Sequence, residues 1–321
     1  MIVITGAAGF IGSVTMKKLN ELGVTNLLVV DHLGMTDKWR NLSTSRFADY
    51  MEKGDFLAWF RDSGNKVEAV IHLGACSSTT ETDASYLIAN NFEYTKRIWH
   101  CCVERRIPLL YASSAATYGD GVQGYADESE LCAFQPMNAY GYSKHLTDLW
   151  TSRQHDCPPM WAGMKFFNVY GPNEYHKGSM ASVVLHAYRQ IKASGRVALF
   201  KSYRADVPNG CQERDFVYVK DVAKVIAFLL GHSSFQGIIN IGSGRARTFE
   251  DLAKAVFAAM GRSPYIDYIE MPDGLRDRYQ YRTEANISKL RRIGYTEKMS
   301  SLESSVADYV RNYLERSEAR L

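Results

Sequence analysis

The sequence predicts an α/β fold with a doubly wound parallel sheet. Short apolar runs alternate with helix-like stretches through the first half of the chain, as in βαβ units. A glycine-rich turn also joins the first apolar run to the first helix-like stretch. After residue 168 the pattern changes, which predicts a smaller α/β domain interleaved with the first.

The individual elements follow from where apolar residues cluster and how they are spaced. Strands are predicted at 2–5, 26–31, 69–73, 109–113 and 164–168, with helices at 13–22, 85–104 and 140–152 between them. Later elements are predicted at 181–193, 216–218, 221–230, 238–241 and 302–314, with one more helix starting at Thr248. The segment 216–241 is interpreted as a return to the sheet. We therefore predict a first domain at 1–168 with a return segment at about 215–241, and a second domain at 169–214 and 242–321.

Composition narrows the class of protein. The 321 residues are 46% hydrophobic and carry a formal net charge of +3, without a block of Lys and Arg, so we expect no nucleic-acid partner. No apolar run approaches the roughly 18 residues of a membrane span. The six cysteines show no CxxC pair, and no signal-peptide pattern stands at the first residues, so we expect a cytoplasmic protein without a metal site.

A dinucleotide site is predicted at the end of the first strand. Gly6, Gly9 and Gly12 form a GxxGxxG turn, and Asp31 ends the second strand 19 residues after Gly12. Glycines permit close approach of a pyrophosphate to a helix N-terminus, and an acid at this distance suits a ribose hydroxyl. Asp31 favours NAD, whereas Lys38 and Lys53 could neutralise the 2′-phosphate of NADP. The residues alone leave the two cofactors equally open.

A candidate catalytic pair follows on the helix at 140–152. Tyr140 and Lys144 are four residues apart, so they share one helix face, where a Lys cation lowers the pKa of a phenol and makes it a better general base. Ser114 ends the strand before this helix, where ligands of doubly wound sheets bind. It is our candidate donor to the reacting oxygen, with Ser113 as a poorer choice and capping of the next turn as the structural alternative. No GxSxG or HExxH motif suggests a hydrolase or a metal enzyme.

In chain order the sequence contains the motifs TGAAGFIG, HLGACSSTTE, YASSAATYG, YGYSK and FFNVYGPNE. Along essentially the whole chain the sequence resembles the extended short-chain dehydrogenase/reductase family of nucleotide-sugar epimerases and dehydratases, which have a Rossmann fold. The segment HKGSMASV at 176–183 is most similar to members that act on ADP-heptose.

The resemblance implies an isomerase that uses bound NADP to oxidise C6 of the heptose transiently, supplying the L-glycero epimer to lipopolysaccharide core synthesis. It implies that Lys177 is a second acid/base group beside Tyr140. A phosphate-binding cation is the alternative for Lys177. The family also implies a homo-oligomer, for which a pentamer is the form we expect.

Further roles are implied position by position. The residues implied to contact the cofactor are Gly6, Gly9, Phe10, Ile11, Gly12, Asp31, His32, Lys38, Lys53, Leu73, Gly74, Ala75, Cys76, Ser77, Asn90, Lys144, Val169 and Lys177. Those implied to contact the substrate are Ser114, Asn168, Ser179, His186, Phe200, Lys201, Ser202, Tyr203, Arg214 and Tyr279. An ion pair with Asp215 or Glu213 is the alternative for Arg214. The sequence departs from the family at His32, where Asn is common, and in a longer loop at 201–212.

Two other functions are compatible with this fold. A sugar-nucleotide 4-epimerase or 4,6-dehydratase would share it, but a dehydratase needs a carboxylic acid near Ser114, where this chain has Thr117. A non-catalytic NADP-binding regulator should lack Tyr140 or Lys144, and this chain retains both.

Overall fold

A seven-stranded parallel sheet forms the centre of the molecule. The computed structural model describes residues 1–63, 66–232, 234–276 and 279–321. The strand order is β10-β6-β5-β4-β1-β2-β3, and each neighbouring pair runs parallel. Its strands are β1 (Ile2–Thr5), β2 (Leu27–Asp31), β3 (Asp49–Glu52), β4 (Ala69–His72), β5 (Leu109–Ser114), β6 (Trp161–Phe166) and β10 (Gln236–Ile241).

Helices cover both faces of this sheet, because successive residues of a strand point to opposite sides. Ile2 and Ile4 of β1 pack in a core cluster with α1 and α7, whereas Val3 packs in another with α2 and α4. The helices are α1 (Phe10–Glu21), α2 (Lys53–Ser63), α3 (Ala84–Leu87), α4 (Tyr94–Arg105), α5 (Ala139–Thr151), α6 (Val183–Ser194), α7 (Val219–Leu230), α8 (Phe249–Ala259), α9 (Asp273–Arg276), α10 (Ser288–Arg292) and α11 (Leu302–Tyr309). Among the described residues, none of these is long and apolar enough to cross a membrane.

Two small sheets lie outside the central one. A three-stranded sheet joins β7 (Asn168–Tyr170), β9 (Glu213–Tyr218) and β11 (Ala246–Thr248), and β8 (Val197–Phe200) pairs with β12 (Ile266–Ile269). Helices α6, α8 and α11 pack together in one apolar core cluster with residues of β8 and β9. This core supports the side of the molecule that carries Lys177 and Arg214.

The predicted fold class is confirmed, and most predicted elements lie within a few residues of their observed bounds. The helix at 85–104 is divided by a π-turn at Ile88–Glu93, which lies between α3 and α4. The interpretation of 216–218 as a strand of the main sheet was wrong, because β9 pairs with β7 and β11. Only α7 and β10 return to the central sheet. Helix α9 was not predicted, and residues 277 and 278 after it lie outside the described residues.

Candidate active site

One cavity of ≈ 1040 Å³ opens at the carboxyl ends of the parallel strands. Binding sites of doubly wound sheets lie at this edge, since the loops there diverge to both faces. The cavity is lined by every residue that the sequence analysis assigned to the cofactor, and also by Tyr140, Ser114, Asn168, Arg214 and Tyr279. Residues from both predicted domains therefore meet around one space.

The glycine-rich turn packs too tightly for side chains. Gly6 has φ +69°, and a Cβ on it would lie 2.6 Å from the backbone N of Gly74. A Cβ on Gly12 would lie 2.2 Å from the carbonyl oxygen of Gly6. No side chain caps the N-terminus of α1, and its first turn, which carries no acidic residue, lines the cavity. Free N–H groups and the helix dipole there suit a pyrophosphate, so this chain fits the predicted dinucleotide.

Both carboxylate oxygens of Asp31 accept hydrogen bonds from neighbouring groups. Its Oδ2 accepts a hydrogen bond from Ala8 N at 2.8 Å, and Oδ1 accepts one from His32 N at 2.8 Å. Oδ1 also pairs with Lys38 Nζ at 2.7 Å. The carboxylate thus stabilises the glycine-rich turn, and the Lys38 cation offsets its charge.

Lys53 and His32 line the same edge of the cavity as Asp31. Lys53 Nζ donates to Asn90 Oδ1 at 2.5 Å, and burial lowers the pKa of Lys53, although the charge of Asp31 opposes this. His32 is exposed and pairs with Glu52 at 2.7 Å. Lys38 and Lys53 thus place positive charge around Asp31 at this edge of the cavity.

Helix α5 brings the Tyr140–Lys144 pair into the cavity beside Ser114. Burial lowers the pKa of Lys144 to about 8, which Asp148 opposes, and its Nζ donates to Ala112 O at 2.8 Å. Burial raises the pKa of Tyr140, and a hydrogen bond with Ser114 opposes this rise. The prediction that the pKa of this phenol is lowered was therefore wrong for the structure without ligands, because burial is the largest effect. Ser114 Oγ also accepts from Ala116 N at 3.1 Å, so it both caps the next turn and faces the phenol. The two interpretations offered for Ser114 are thus compatible.

A buried ion pair, which the sequence analysis did not predict, lies beneath Tyr140 and Lys144. Lys165 on β6 and Asp148 on α5 are both 0% exposed, with Nζ and Oδ2 2.7 Å apart. Asp148 also accepts from Ser113 Oγ at 2.6 Å, so the Ser113 hydroxyl is occupied beneath the cavity. The sequence signals were a Lys within an apolar strand and an Asp one helical turn after Lys144.

Lys177 lines the same cavity from a different element, a 3-10 turn at Tyr175–Met180. Its Nζ lies 5.5 Å from the centroid of the Phe10 ring, above the first turn of α1. Burial lowers the pKa of Lys177, while the charge of Glu174 raises it. The cavity-lining neighbour His176 was also missed; burial lowers its pKa to about 4.

Arg214 also lines the cavity, and its side chain is buried. The group lies 5.0 Å from the ring centroid of Tyr279 and 5.5 Å from that of Phe249. Its NH1 donates to the carbonyl of Glu213 at 2.8 Å, and burial lowers the pKa of Arg214.

The alternative of an ion pair for Arg214 is not what the structure shows. Among the described residues, no carboxylate lies within salt-bridge distance of this guanidinium. Asp215 accepts instead from Ser243, Gly244 and Ala285, and Glu213 pairs with Arg282 at 2.9 Å. A buried cation without a counter-ion is suited to an anionic ligand.

The remaining candidate substrate residues lie outside the cavity lining. Ser179 and His186 contact each other, with His186 Nε2 3.3 Å from the Ser179 carbonyl oxygen. Phe200 ends β8, and Lys201, Ser202 and Tyr203 continue into the surface loop. Their substrate roles stay predictions. Over the described ranges, no cluster of side chains suited to a metal ion is present.

These features define the class of the protein as an enzyme for redox chemistry at a hydroxyl group with a bound nicotinamide dinucleotide. A sequence model of the NAD dependent epimerase/dehydratase family matches residues 2–242, and the chain belongs to this family. The resemblance inferred from the motifs is confirmed.

Relatives match along the whole chain. A protein of Fusobacterium nucleatum named ADP-L-glycero-D-manno-heptose-6-epimerase is 50% identical and covers 100% of both chains. A protein of the same name from Nitratidesulfovibrio vulgaris is 46% identical, again over 100% of both. The crystal structure of the Helicobacter pylori protein with this name is similar to the chain at a TM-score of 0.79 and 25% identity, covering 97% of this chain and 95% of the other.

Proposed function

We propose that this protein is an ADP-heptose 6-epimerase that interconverts ADP-D-glycero- and ADP-L-glycero-D-manno-heptose. The observation that carries the proposal is the placement of Tyr140 and Lys177 on two different elements around one cavity. The name and 50% identity of the Fusobacterium relative support heptose as the sugar.

Inversion at C6 needs two groups that handle protons. Oxidation at C6 leaves a ketone, and rotation about the exocyclic C5–C6 bond presents its other face for reduction. The oxygen then lies on the opposite side, so the group that removes its proton differs from the group that returns one. Tyr140 and Lys177 fill these two positions, and burial brings the pKa of Lys177 down toward a range useful for proton transfer. Ser114 hydrogen-bonds the reacting oxygen.

The cofactor in this proposal is NADP. When bound, it supplies the hydride acceptor and donor at C6. Because Lys38 pairs with Asp31 and two backbone N–H groups occupy the same carboxylate, Asp31 is a weak partner for a ribose hydroxyl. Lys38 and Lys53 instead provide positive charge for a 2′-phosphate.

The substrate diphosphate is proposed to bind at Arg214. A planar guanidinium held between two aromatic rings can form two parallel hydrogen bonds to a phosphate. Asn168 and Tyr279 line the same part of the cavity. We further propose that 1–168 with the return segment at about 215–241 binds the cofactor, and that 169–214 with 242–321 binds substrate. A cytoplasmic homo-oligomer is the proposed form in the cell.

A 4,6-dehydratase is a weaker candidate. Thr117 is fully buried, and its hydroxyl donates to the Ser114 carbonyl while accepting from Lys165. No acid therefore stands at the position where a dehydratase needs one.

Incubation of the purified protein with ADP-D-glycero-D-manno-heptose, without added reductant, tests the proposal. Proton NMR would follow the C6 configuration. We expect conversion to the L-glycero epimer, with the rate reduced by about 10²–10⁴ in Lys177→Ala, since a positioned acid/base group contributes that much. The exposed Lys192→Ala serves as the control and should retain the wild-type rate. If bound cofactor is found but no heptose is epimerised, the proposal fails, and UDP- and GDP-sugars become the substrates to test.

A further inference from the structure

A buried carboxylate closes the loop that carries Lys177. Glu174 is 1% exposed, and its Oε1 accepts hydrogen bonds from Gly171 N at 3.2 Å and Ser182 Oγ at 2.7 Å. Its Oε2 accepts from Ser182 N at 2.5 Å. Gly171 and Ser182 stand at the two ends of the segment 171–182, so one side chain joins both ends.

Lys177 lies in the middle of this closed loop. Its backbone N donates to the Glu174 carbonyl at 3.0 Å, which starts the turn that aims Lys177 into the cavity. Ser182 in turn caps α6, because Leu185 N donates to Ser182 Oγ at 3.3 Å. The backbone of the Lys177 turn is thus held against a rigid helix through Glu174, and a shift of about 1 Å in such a group costs rate steeply.

Burial raises the pKa of Glu174, and the hydrogen bonds from Ser182 and Gly171 oppose this rise. The charge of the Glu174 carboxylate in turn raises the pKa of Lys177. His176 faces Lys177 from the same turn but is neutral at pH 7, since its pKa is lowered to about 4. Lys38, Arg320 and Asp31 act on His176 from the far side.

On the buried side, the phenol of Tyr309 packs against Glu174 from α11. Burial and the charge of Glu174 raise the pKa of this phenol, so it is neutral at pH 7. The protonation of Lys177 therefore responds chiefly to burial and to the charge of Glu174.

We propose that Glu174 is a positioning residue for Lys177. Its carboxylate closes the loop 171–182 and supplies negative charge that acts on the Lys177 amine. The inference rests on the proposed function for its kinetic readout, because Lys177 is there an acid/base group. It adds an assignment for a buried residue outside the cavity lining.

Glu174→Gln separates this role from a merely structural one. The amide preserves size but removes the charge and places an NH₂ group against the Ser182 donors. We expect kcat for heptose epimerisation to fall by about 10- to 100-fold at unchanged KM, as for a lost positioning contact. The limb of the pH–rate profile that reports Lys177 should move to lower pH by about one unit, since a nearby opposite charge shifts a pKa by that order.

Two matched variants hold the charge and change the geometry. Ser182→Ala removes one donor to Glu174 but leaves the carboxylate. We therefore expect kcat to fall while the limb of the pH–rate profile that reports Lys177 stays at its wild-type pH. Glu174→Asp should also lower kcat and leave that limb of the pH–rate profile at its wild-type pH. If Ser182→Ala and Glu174→Asp both have wild-type kcat, the loop-closing role is wrong, whether or not Glu174→Gln folds.

A measurement without substrate separates the role of Glu174 from the proposed epimerase function. Reductive ¹³C-methylation of the cofactor-bound protein, with Lys177→Arg to assign the signal, allows the pKa of Lys177 to be titrated by NMR. We expect a lower pKa in Glu174→Gln and an unchanged one in Ser182→Ala. An unchanged Lys177 pKa in Glu174→Gln overturns the inference. If wild-type protein lacks epimerase activity but this titration shifts as expected, only the proposed function fails.

Discussion

Lys38 Nζ lies 2.7 Å from Asp31 Oδ1 at the edge of the dinucleotide cavity. An acid at the end of β2 normally selects a ribose hydroxyl, yet here its charge is offset by a cation seven residues on. In the proposed function this pair allows a 2′-phosphate to bind beside the acid, and Lys38 contributes to a preference for NADP together with Lys53.

Lys38→Ala should therefore lower affinity for NADP more than for NAD. It removes a cation from the phosphate site and leaves Asp31 repelling the phosphate. We expect about a 10- to 100-fold weaker Kd for NADP, since a hydrogen bond to a charged group contributes about 1.5–3 kcal/mol. Titration of cofactor-stripped protein with each dinucleotide measures this effect. The exposed Lys298→Ala is the control; equal losses for NAD and NADP would show that Lys38 acts only through the fold.

Tyr140→Phe should abolish most of the epimerase activity without loss of bound cofactor. The variant removes only the phenolic oxygen, and a positioned acid/base group contributes about 10²–10⁴ in rate. Tyr142 provides a matched control, because it lies on the same helix but is 53% exposed. Turnover and cofactor content are measured for both variants. A Tyr140→Phe protein within tenfold of the wild-type rate would contradict the assignment.

The glycine-rich turn, Asp31 and the Tyr140–Lys144 pair could be predicted because each is a local pattern. A turn, a strand end and one helix face are defined by residues close in sequence. The strand β3 was missed since its residues Asp49–Glu52 form a short, partly exposed edge without an apolar run. The π-turn at Ile88–Glu93 was missed because the apolar spacing on either side of it continues as in one helix.

The Lys165–Asp148 pair and the role of Glu174 could not be predicted in the same way. Lys165 and Asp148 come from a strand and a helix that meet only through sheet order, and nothing in either segment identifies the partner. Arg214 likewise has no carboxylate partner among the residues that the structure describes, and this depends on tertiary contacts, because its chain neighbours Asp215 and Glu213 bind other groups. Pairings across the fold determine which charges are free to bind ligands.

Arg214→Ala should raise KM for the nucleotide sugar far more than it lowers kcat. The guanidinium is proposed to bind the diphosphate, which takes no part in the bond changes at C6, so its loss removes uniform binding. Because the buried cation has no described counter-ion, we also expect the variant to unfold at an equal or higher temperature. Steady-state kinetics and thermal melts check both. Exposed Arg245→Ala is the control; a kcat loss at constant KM would place Arg214 elsewhere in the mechanism.

Acid should destabilise the protein through His72. Its Nε2 lies 3.0 Å from Thr95 Oγ1 and its Nδ1 2.6 Å from Thr5 Oγ1. Thr95 donates to Asn91 O, so it accepts from Nε2–H, and Thr5 donates to the unprotonated Nδ1. Burial foremost, and then the cations Lys144 and Lys53, lower the pKa of His72 to about 3.

The unfolded chain therefore binds a proton at His72 near pH 6.5, and the folded chain does not until about pH 3. Stability is fully present above pH 6.5 and falls between these values by about 1.4 kcal/mol per pH unit for this one group. His72→Asn should remove that part of the slope in urea unfolding measured from pH 7 to pH 4. Exposed His155→Asn should leave the slope unchanged. Equal slopes for wild type and His72→Asn would rule out this origin of acid sensitivity.

Lys165→Met should destabilise the fold and impair the site above it. The change leaves the Asp148 carboxylate buried, and its remaining donors in the described part of the chain are the hydroxyls of Ser113 and Tyr111, at 2.6 and 3.1 Å. Loss of one partner of a buried ion pair costs about 3–5 kcal/mol, because the remaining charge is uncompensated. Urea unfolding measures the loss. The epimerase rate should fall as well, since Asp148 is on α5 with Tyr140 and Lys144.

The double variant Lys165→Met, Asp148→Leu discriminates between an uncompensated charge and a lost packing contact. With both charges replaced by apolar groups, most of the stability should return, because neither side chain then requires a partner. The exposed pair Lys254–Glu250, 2.6 Å apart, offers a matched control in which Lys254→Met changes stability little. If the double variant is no more stable than Lys165→Met, the loss comes from packing at the β6–α5 contact. Charge burial would then not be what holds α5 in place.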